Sequence, residues 1–221
     1  MDSHSNLVLT EMDKNILESY KNVIDGLSDF LGSGYEIVLH SLENYDQSVI
    51  KIVNGHYTGR KEGAPITNMA LNSLKKIKTD NHNEYFTYFN KNKEGKKLKS
   101  ATIAIKGENK RIIGLLCLNY YMDIPLSTFI TELSPLDPTG EAESVEYFSQ
   151  NIDELLLNAL EEAQEIVFQD PTIPLVNKNK EIIIILNEKG IFNLKDSVSK
   201  VSEMLNISKN TVYLHLRNLS S

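Results

Sequence analysis

Cysteine occurs once in this chain, at Cys117, and tryptophan not at all. A lone cysteine excludes an internal disulfide framework and fits a reducing compartment. It stands inside the strand-like run IIGLLCLNYY, where packing as a small buried hydrophobe is expected rather than a reactive thiol. No apolar run reaches the roughly 18 residues that span a bilayer, and the opening MDSHSNLVLTEMDKN lacks the basic-then-apolar layout of a secretory leader. A cytoplasmic protein with no membrane partner is therefore expected.

Catalytic signatures are scarce as well. The five histidines, His4, His40, His56, His82 and His215, fall in no HExxH or Cys/His ligand spacing, and His4 and His82 sit in polar, flexible surroundings. There is no GxSxG elbow and no Gly-Lys-Ser or Gly-Lys-Thr after a strand. His40 could ligate haem if its strand faces a pocket, but a hydrogen-bonded core histidine is the plainer reading. No catalytic residue, metal or cofactor is expected, so an enzyme is the poorer hypothesis. Positive charge is short too: 23 Lys and Arg stand against 30 Asp and Glu, a net of −7. That balance argues against a general nucleic-acid binder. The deficit is uneven, however. Leu175 to Ser221 holds 7 basic and 4 acidic residues (+3), which leaves 16 and 26 (−10) for the other 174.

The stretch DSVSKVSEMLNISKNTVYLHLRNL, Asp196 to Leu219, is the most informative part of what is present. Val198, Val201 and Leu205 give one apolar stripe at i, i+3, i+7, and Val212, Leu216 and Leu219 give a second at i, i+4, i+7. Ser202 supplies the small side chain that a steep helix crossing needs. Asn206 suits a left-handed helix end, Ile207 points back into a small core, and Ser208 caps the helix that follows. Asn210, Tyr213 and Arg217 then share an outer face with Lys209, Thr211 and Leu214 beside it. Their amide, phenol and guanidinium groups suit phosphates and base edges. Two short helices and a tight turn of this kind form a helix-turn-helix, and double-stranded DNA is the implied partner. An ordinary helical hairpin with a polar outer side is the bland alternative. Upstream, Asn179 to Glu188 reads as a third helix and Gly190-Ile191-Phe192 as a turn with an apolar plug. Asn193 is expected to cap the next helix, with Asp196 completing a capping box.

The larger part of the chain reads differently. Asp13 to Leu31 has helical apolar spacing, ended by Gly32-Ser33-Gly34. Strand signals follow at Tyr35 to Leu42 and Ser48 to Val53, then short helices over 66–79. Three more strands are expected at Tyr85 to Asn90, Ser100 to Ile105 and Arg111 to Tyr121. Alternation puts Ile37 and Leu39 on one face of the first strand, with Glu36, Val38 and His40 on the other. Helix, two strands, short helices and a three-strand meander is the order of a PAS-type sensor domain, a five-stranded antiparallel sheet cupping a pocket. Between them, Asn54 to Thr67 (NGHYTGRKEGAPIT) gathers three glycines, a proline, His56, Thr58 and Arg60. With His40, Asn54 and Thr67 these are the candidate contacts to a small anionic or zwitterionic effector. A surface loop that ties down its own carbonyls remains an equal reading.

EIVLHSL, SVIKIVNGHYTGRKEGAPIT and GIFNLKDSVSKVSEMLNISKNTVYLHL, in this order, resemble the YheO-like PAS domain proteins. The resemblance runs from about Ile16 to Leu219. It rests on Asn54-Gly55-His56, Gly59-Arg60 and Thr211-Val212-Tyr213. Ser202 departs from a more usual Ala and Asn206 from a more usual Gly, both tolerable. The family implies bacterial transcriptional regulators with a PAS-like domain and a C-terminal helix-turn-helix. An α+β protein is thus expected: a sensor over 1–132, a connector over 133–174, and an all-α three-helix DNA-binding domain over 175–221. Residues 133–150 read as a loose acidic stretch, expected to be poorly ordered. Asn151 to Gln169 is a helix that either joins subunits or packs on its own sensor sheet. Asp170 to Pro174 is a stiff proline hinge. Ser208, Lys209, Asn210, Thr211, Tyr213 and Arg217 are the expected DNA contacts, and a homodimer or higher homo-oligomer is the expected assembly. A metabolite-sensing adaptor whose C-terminal helices only dimerise is the rival.

Overall fold

The computed structural model describes residues 7–79, 83–133 and 148–219. His4, His82 and all but the edges of the acidic connector lie outside that set. The chain divides into two compact units, residues 1–139 and 140–221.

The first unit begins with helix α1, Glu11–Leu31. It starts two residues earlier than its apolar spacing implies because Thr10 and Asp13 form a reciprocal capping box. Asp13 is buried and also accepts from the Glu108 backbone N–H at 2.9 Å and from Arg111 at 2.6 Å, which pins α1 to a hairpin of the sheet. Strands β1 (Tyr35–Ser41), β2 (Val49–Val53), β3 (Tyr85–Lys91), β4 (Lys97–Lys106) and β5 (Ile112–Tyr121) form one antiparallel sheet in the order β2-β1-β5-β4-β3. Helix α2, Asn68–Thr79, starts with Thr67 Oγ1 accepting from the Ala70 N–H at 3.1 Å. A short helix α3, Leu126–Leu133, follows β5.

Period-two alternation divides the sheet into two faces. Ile37, Leu39, Ile105, Ile113 and Leu116 pack with Leu17 and Ile24 of α1. Val38, Leu115 and Cys117 pack with Ala70, Leu74 and Ile77 of α2. Val23 and Phe30 belong to the helical spacing of α1 yet are exposed, so the stripe read from the sequence is wider than the face the sheet covers. Gly114 lies under α1, where an added Cβ would meet the Leu17 side chain at 2.7 Å and the His40 carbonyl at 2.6 Å. Only glycine lets helix and strand approach this closely.

The second unit consists of α4 (Ile152–Gln169), α5 (Lys178–Glu188), α6 (Ser197–Met204) and α7 (Lys209–Leu219). Asn151 caps α4 by accepting from the Glu154 N–H at 2.9 Å. Leu156, Ala159, Leu160, Ala163 and Val167 of α4 share one core with Ile182 and Leu186 of α5, Ile191, and Val201 of α6. The apolar stripe of α4 is thus spent within this unit, a partner that neither sequence reading of that helix considered. One local expectation is corrected. Asp196, not Asn193, sits at the start of α6, in a left-handed conformation (φ 60°) and without a side-chain cap, while Asn193 belongs to the preceding short turn.

Candidate functional site: a polar cavity and a helix-turn-helix face

Strand register builds a row of polar side chains across four strands. Glu36 on β1 pairs with Asn119 on β5, Asn119 with Ser100 on β4, and Ser100 with Tyr88 on β3. Glu36, Asn119 and Tyr88 of this row line a cavity of about 180 Å³ on the face shared with α2. Asn119 Nδ2 donates to Glu36 Oε1 at 3.0 Å, and Ser100 Oγ donates to Asn119 Oδ1 at 2.7 Å. Tyr88 Oη lies 3.2 Å from Thr102 Oγ1. From the loop after β2, Thr58 Oγ1 donates to Glu36 Oε2 at 2.6 Å. Both oxygens of the Glu36 carboxyl therefore accept, as an ionised carboxylate does. Its carboxyl is nonetheless raised above the ordinary range: burial is the main cause, and the Thr58 and Asn119 bonds with the Arg60 charge offset part of it.

Arg60 lines the same cavity and donates to the Pro65 carbonyl. Glu36 and Arg60 influence each other electrostatically, but no ion pair joins them among the described residues. His40 is buried, with Nδ1 2.8 Å from Ser48 Oγ. Burial, helped by the Arg60 charge, lowers its pKa to about 4, so the ring adds no charge to the cavity at neutral pH. Cys117 also lines the cavity, and burial pushes its thiol up to about 11, which leaves it un-ionised and a poor nucleophile. Among the described residues no group of three or more His, Cys, Asp or Glu is placed to hold a metal.

Four of the six candidate effector residues meet at this cavity: His40, Thr58, Arg60 and Thr67. Two do not. Asn54 adopts a left-handed conformation (φ 54°) and donates to the Tyr35 carbonyl at 2.8 Å, holding the loop to the sheet. His56 is exposed and lies against the Tyr57 ring, which itself stacks on buried Tyr121 at 3.9 Å. The polar row of Glu36, Asn119, Ser100 and Tyr88 was missed: three of them line the cavity, and Ser100 bonds to Asn119. Alternation had already placed Glu36 beside His40; the other three required the strand order.

In the second unit α6 and α7 enclose the turn Leu205–Ser208. The Asn206 N–H donates to the Glu203 carbonyl at 3.1 Å and the Ile207 N–H to the Ser202 carbonyl at 2.9 Å, with Asn206 left-handed at φ 52°. This is a Schellman end, and an asparagine serves where glycine is commoner. Ser208 Oγ then accepts from the Thr211 N–H at 3.1 Å and caps α7. Ser202 is buried, as a small side chain at the crossing should be, and Val212 is fully buried. Leu216 is half-buried, whereas Leu219 is 39% exposed, so the inner stripe of α7 frays at its end. Lys209, Asn210, Tyr213 and Arg217 lie exposed along the outer side; Ser208 is exposed at the cap and Thr211 half-buried.

Helix α4 changes the charge of this unit. Residues 148–219 hold 7 basic and 10 acidic residues, a net of −3, because α4 and its end add Asp153, Glu154, Glu161, Glu162, Glu165 and Asp170. Lys189 pairs with Glu162 at 2.6 Å and Lys200 with Asp153. Positive charge is thus confined to local faces, α7 among them.

A sheet of this strand order, followed along the chain by a helix-turn-helix unit, is the make-up of a DNA-binding regulator with a PAS-like domain. The YheO-like PAS domain model matches residues 10–135 and an HTH domain model matches residues 159–217. The chain belongs to the YheO-like PAS domain family. YheO of Escherichia coli strain K12 is 41% identical over 211 residues, covering 96% of this chain and 88% of that protein. The transcriptional regulator DauR of Pseudomonas aeruginosa is 25% identical over 209 residues, covering 92% and 94%. A solved PAS domain from Colwellia psychrerythraea covers 46% of this chain and 97% of its own at 16% identity, with a TM-score of 0.32. No helix among the described residues is long and apolar enough to cross a membrane.

Proposed function

We propose that the protein is a cytoplasmic, homodimeric, sequence-specific transcriptional regulator whose PAS-like cavity takes a small effector. The observation that carries the reading is the second unit: a Schellman turn, a serine-capped α7 and a buried Val212 leave a polar helix face turned outward. Lys209, Asn210 and Tyr213 contact bases in this reading, with Ser208, Thr211 and Arg217 on phosphate. So few cations per chain bind DNA weakly at physiological salt, and pairing two modules raises their effective concentration. An effector acts through its different affinity for the DNA-competent and incompetent arrangements of the dimer. The name and role of DauR, a transcriptional regulator, agree with this assignment.

Selection of bound sequences from a random duplex pool by the purified full chain, followed by a salt titration, tests it. One preferred sequence is expected. Arg217→Ala lowers the salt slope by about one for every site alike. Asn210→Ala instead relaxes preference at one base position, by about 1–3 kcal/mol. The rival is a dimerising adaptor, favoured by the exposure of Tyr213 (57%) and Leu214 (46%) on α7. Recovery of no sequence at low salt, with or without cell extract metabolites, rejects the DNA reading and leaves the adaptor.

A further inference from the structure

We infer that the cavity of the first unit binds a small zwitterion of the α-amino acid type, its ammonium against Glu36 and its carboxylate against Arg60. The inference rests on the proposed effector role of that cavity and names the chemistry it selects.

The argument starts from charge. Glu36 is fully buried, and its two oxygens are held by a hydroxyl and an amide, both neutral donors. Hydrogen bonds from neutral groups solvate a carboxylate only in part, so a cation in the cavity gains strongly from it. Arg60 lines the same cavity, and it donates to the Pro65 backbone carbonyl, also a neutral group. Opposite charges that face one cavity without an ion pair between them leave a gap that a dipolar guest bridges. A simple anion would meet Arg60 but be repelled by Glu36; a simple cation would meet the reverse. A neutral polyol would leave both charges without a counter-charge. Lys91 lines the cavity too, but its side chain is exposed and screened by solvent, so it does not upset the balance inside.

Size sets a second limit. A cavity of about 180 Å³ has room for an amino acid head with a short side chain. Val38 and Leu98 supply apolar wall, while Asn119 and Tyr88 supply polar wall. A short side chain of either character has a surface to meet.

The test uses the full-length wild-type protein and reads saturable binding by calorimetry for the common α-amino acids. Each is compared with the amine lacking its carboxylate and the acid lacking its ammonium; for L-alanine these are ethylamine and propionate. At least one zwitterion with a short side chain should bind, and each single-charge analogue should bind at least about tenfold more weakly, the loss expected for one charge-assisted contact. Glu36→Gln should bring the zwitterion's affinity down toward that of its acid analogue, and Arg60→Met toward that of its amine analogue. If no zwitterion binds up to 10 mM (a ceiling set by about 1 mM affinities of small ligands), or a single-charge analogue binds as well, the inference is overturned. The same holds if both variants bind the zwitterion like the wild type. The wild-type comparison stands even if a variant fails to fold. A zwitterion that binds without changing DNA affinity supports this ligand assignment and sinks the sensing role. Specific DNA binding without any zwitterion binding does the reverse.

Discussion

The two units treat polarity in opposite ways. The sheet unit buries Asp13, Glu36, His40, Ser48, Ser100 and Thr102 among its core residues, whereas the helical unit buries only Ser197 and Ser202 among polar residues described there. An apolar interior such as that of α4, α5 and α6 closes on itself by area burial and leaves recognition to the outside. A polar interior costs unless every group is bonded, and here the bonds run along one row of the sheet beside a cavity. The first unit thus gathers its polar groups around a small cavity. The second carries them on the outer side of α7.

The sharpest way to break this contrast is to put a charge where only apolar groups are. Val212→Asp places an unpaired carboxylate at a fully buried position, a change on the order of 3–5 kcal/mol. Calorimetry should show the helical transition lost, DNA binding abolished, and the sheet transition kept at its temperature. If both transitions move together, the two cores are not independent and the contrast fails. The opposite experiment lowers the pH on the polar core. His40 titrates at about 4 when folded and near 6.5 when unfolded, so unfolded chains take up the proton first. Stability of the sheet unit is then full above about pH 6.5 and falls between there and about pH 4, by up to about 3 kcal/mol. His40→Gln should flatten that slope in melts recorded across the window. An unchanged slope would assign the acid sensitivity to other groups.

The same contrast explains what was legible in the sequence. Period-two alternation is enough to place Glu36 and His40 on one face of β1, because it depends on neighbours along a single strand. The rest of the polar row depends on β5 lying between β1 and β4, a pairing of residues 83 positions apart for Glu36 and Asn119. No local pattern carries that information. The turn residues of the helical unit are legible for the converse reason: Asn206, Ile207 and Ser208 act on backbone groups within five residues of themselves. Helix α4 shows the limit from the other side. Its stripe of Leu156, Leu160, Ala163 and Val167 announces burial, but a stripe does not name the surface that buries it. Asp196 was misjudged because it starts α6 in a left-handed conformation without a side-chain cap, which its capping propensity does not announce.

Smaller effects sharpen the account of the turn. Ser208→Ala removes the acceptor for the Thr211 N–H and should lower the stability of the helical unit by about 1 kcal/mol, read as a shift in its melting temperature. Asn206 offers a finer test, because two opposing terms nearly cancel there. A non-glycine residue at φ 52° pays a steric cost that asparagine partly escapes through its short polar side chain. Asn206→Gly removes what remains of that cost, but it also widens the freedom of the unfolded chain, a loss of roughly 0.5–1 kcal/mol. A small net gain, below about 0.5 kcal/mol, is expected from the difference. Asn206→Ala has the strain without the local hydrogen bonding and should cost about 1 kcal/mol. The order Gly, Asn, Ala in melting temperature, with DNA affinity unchanged across the three, would place the residue in the frame of the turn rather than on the reading face. Loss of DNA binding in the fully folded glycine variant would move Asn206 onto that face.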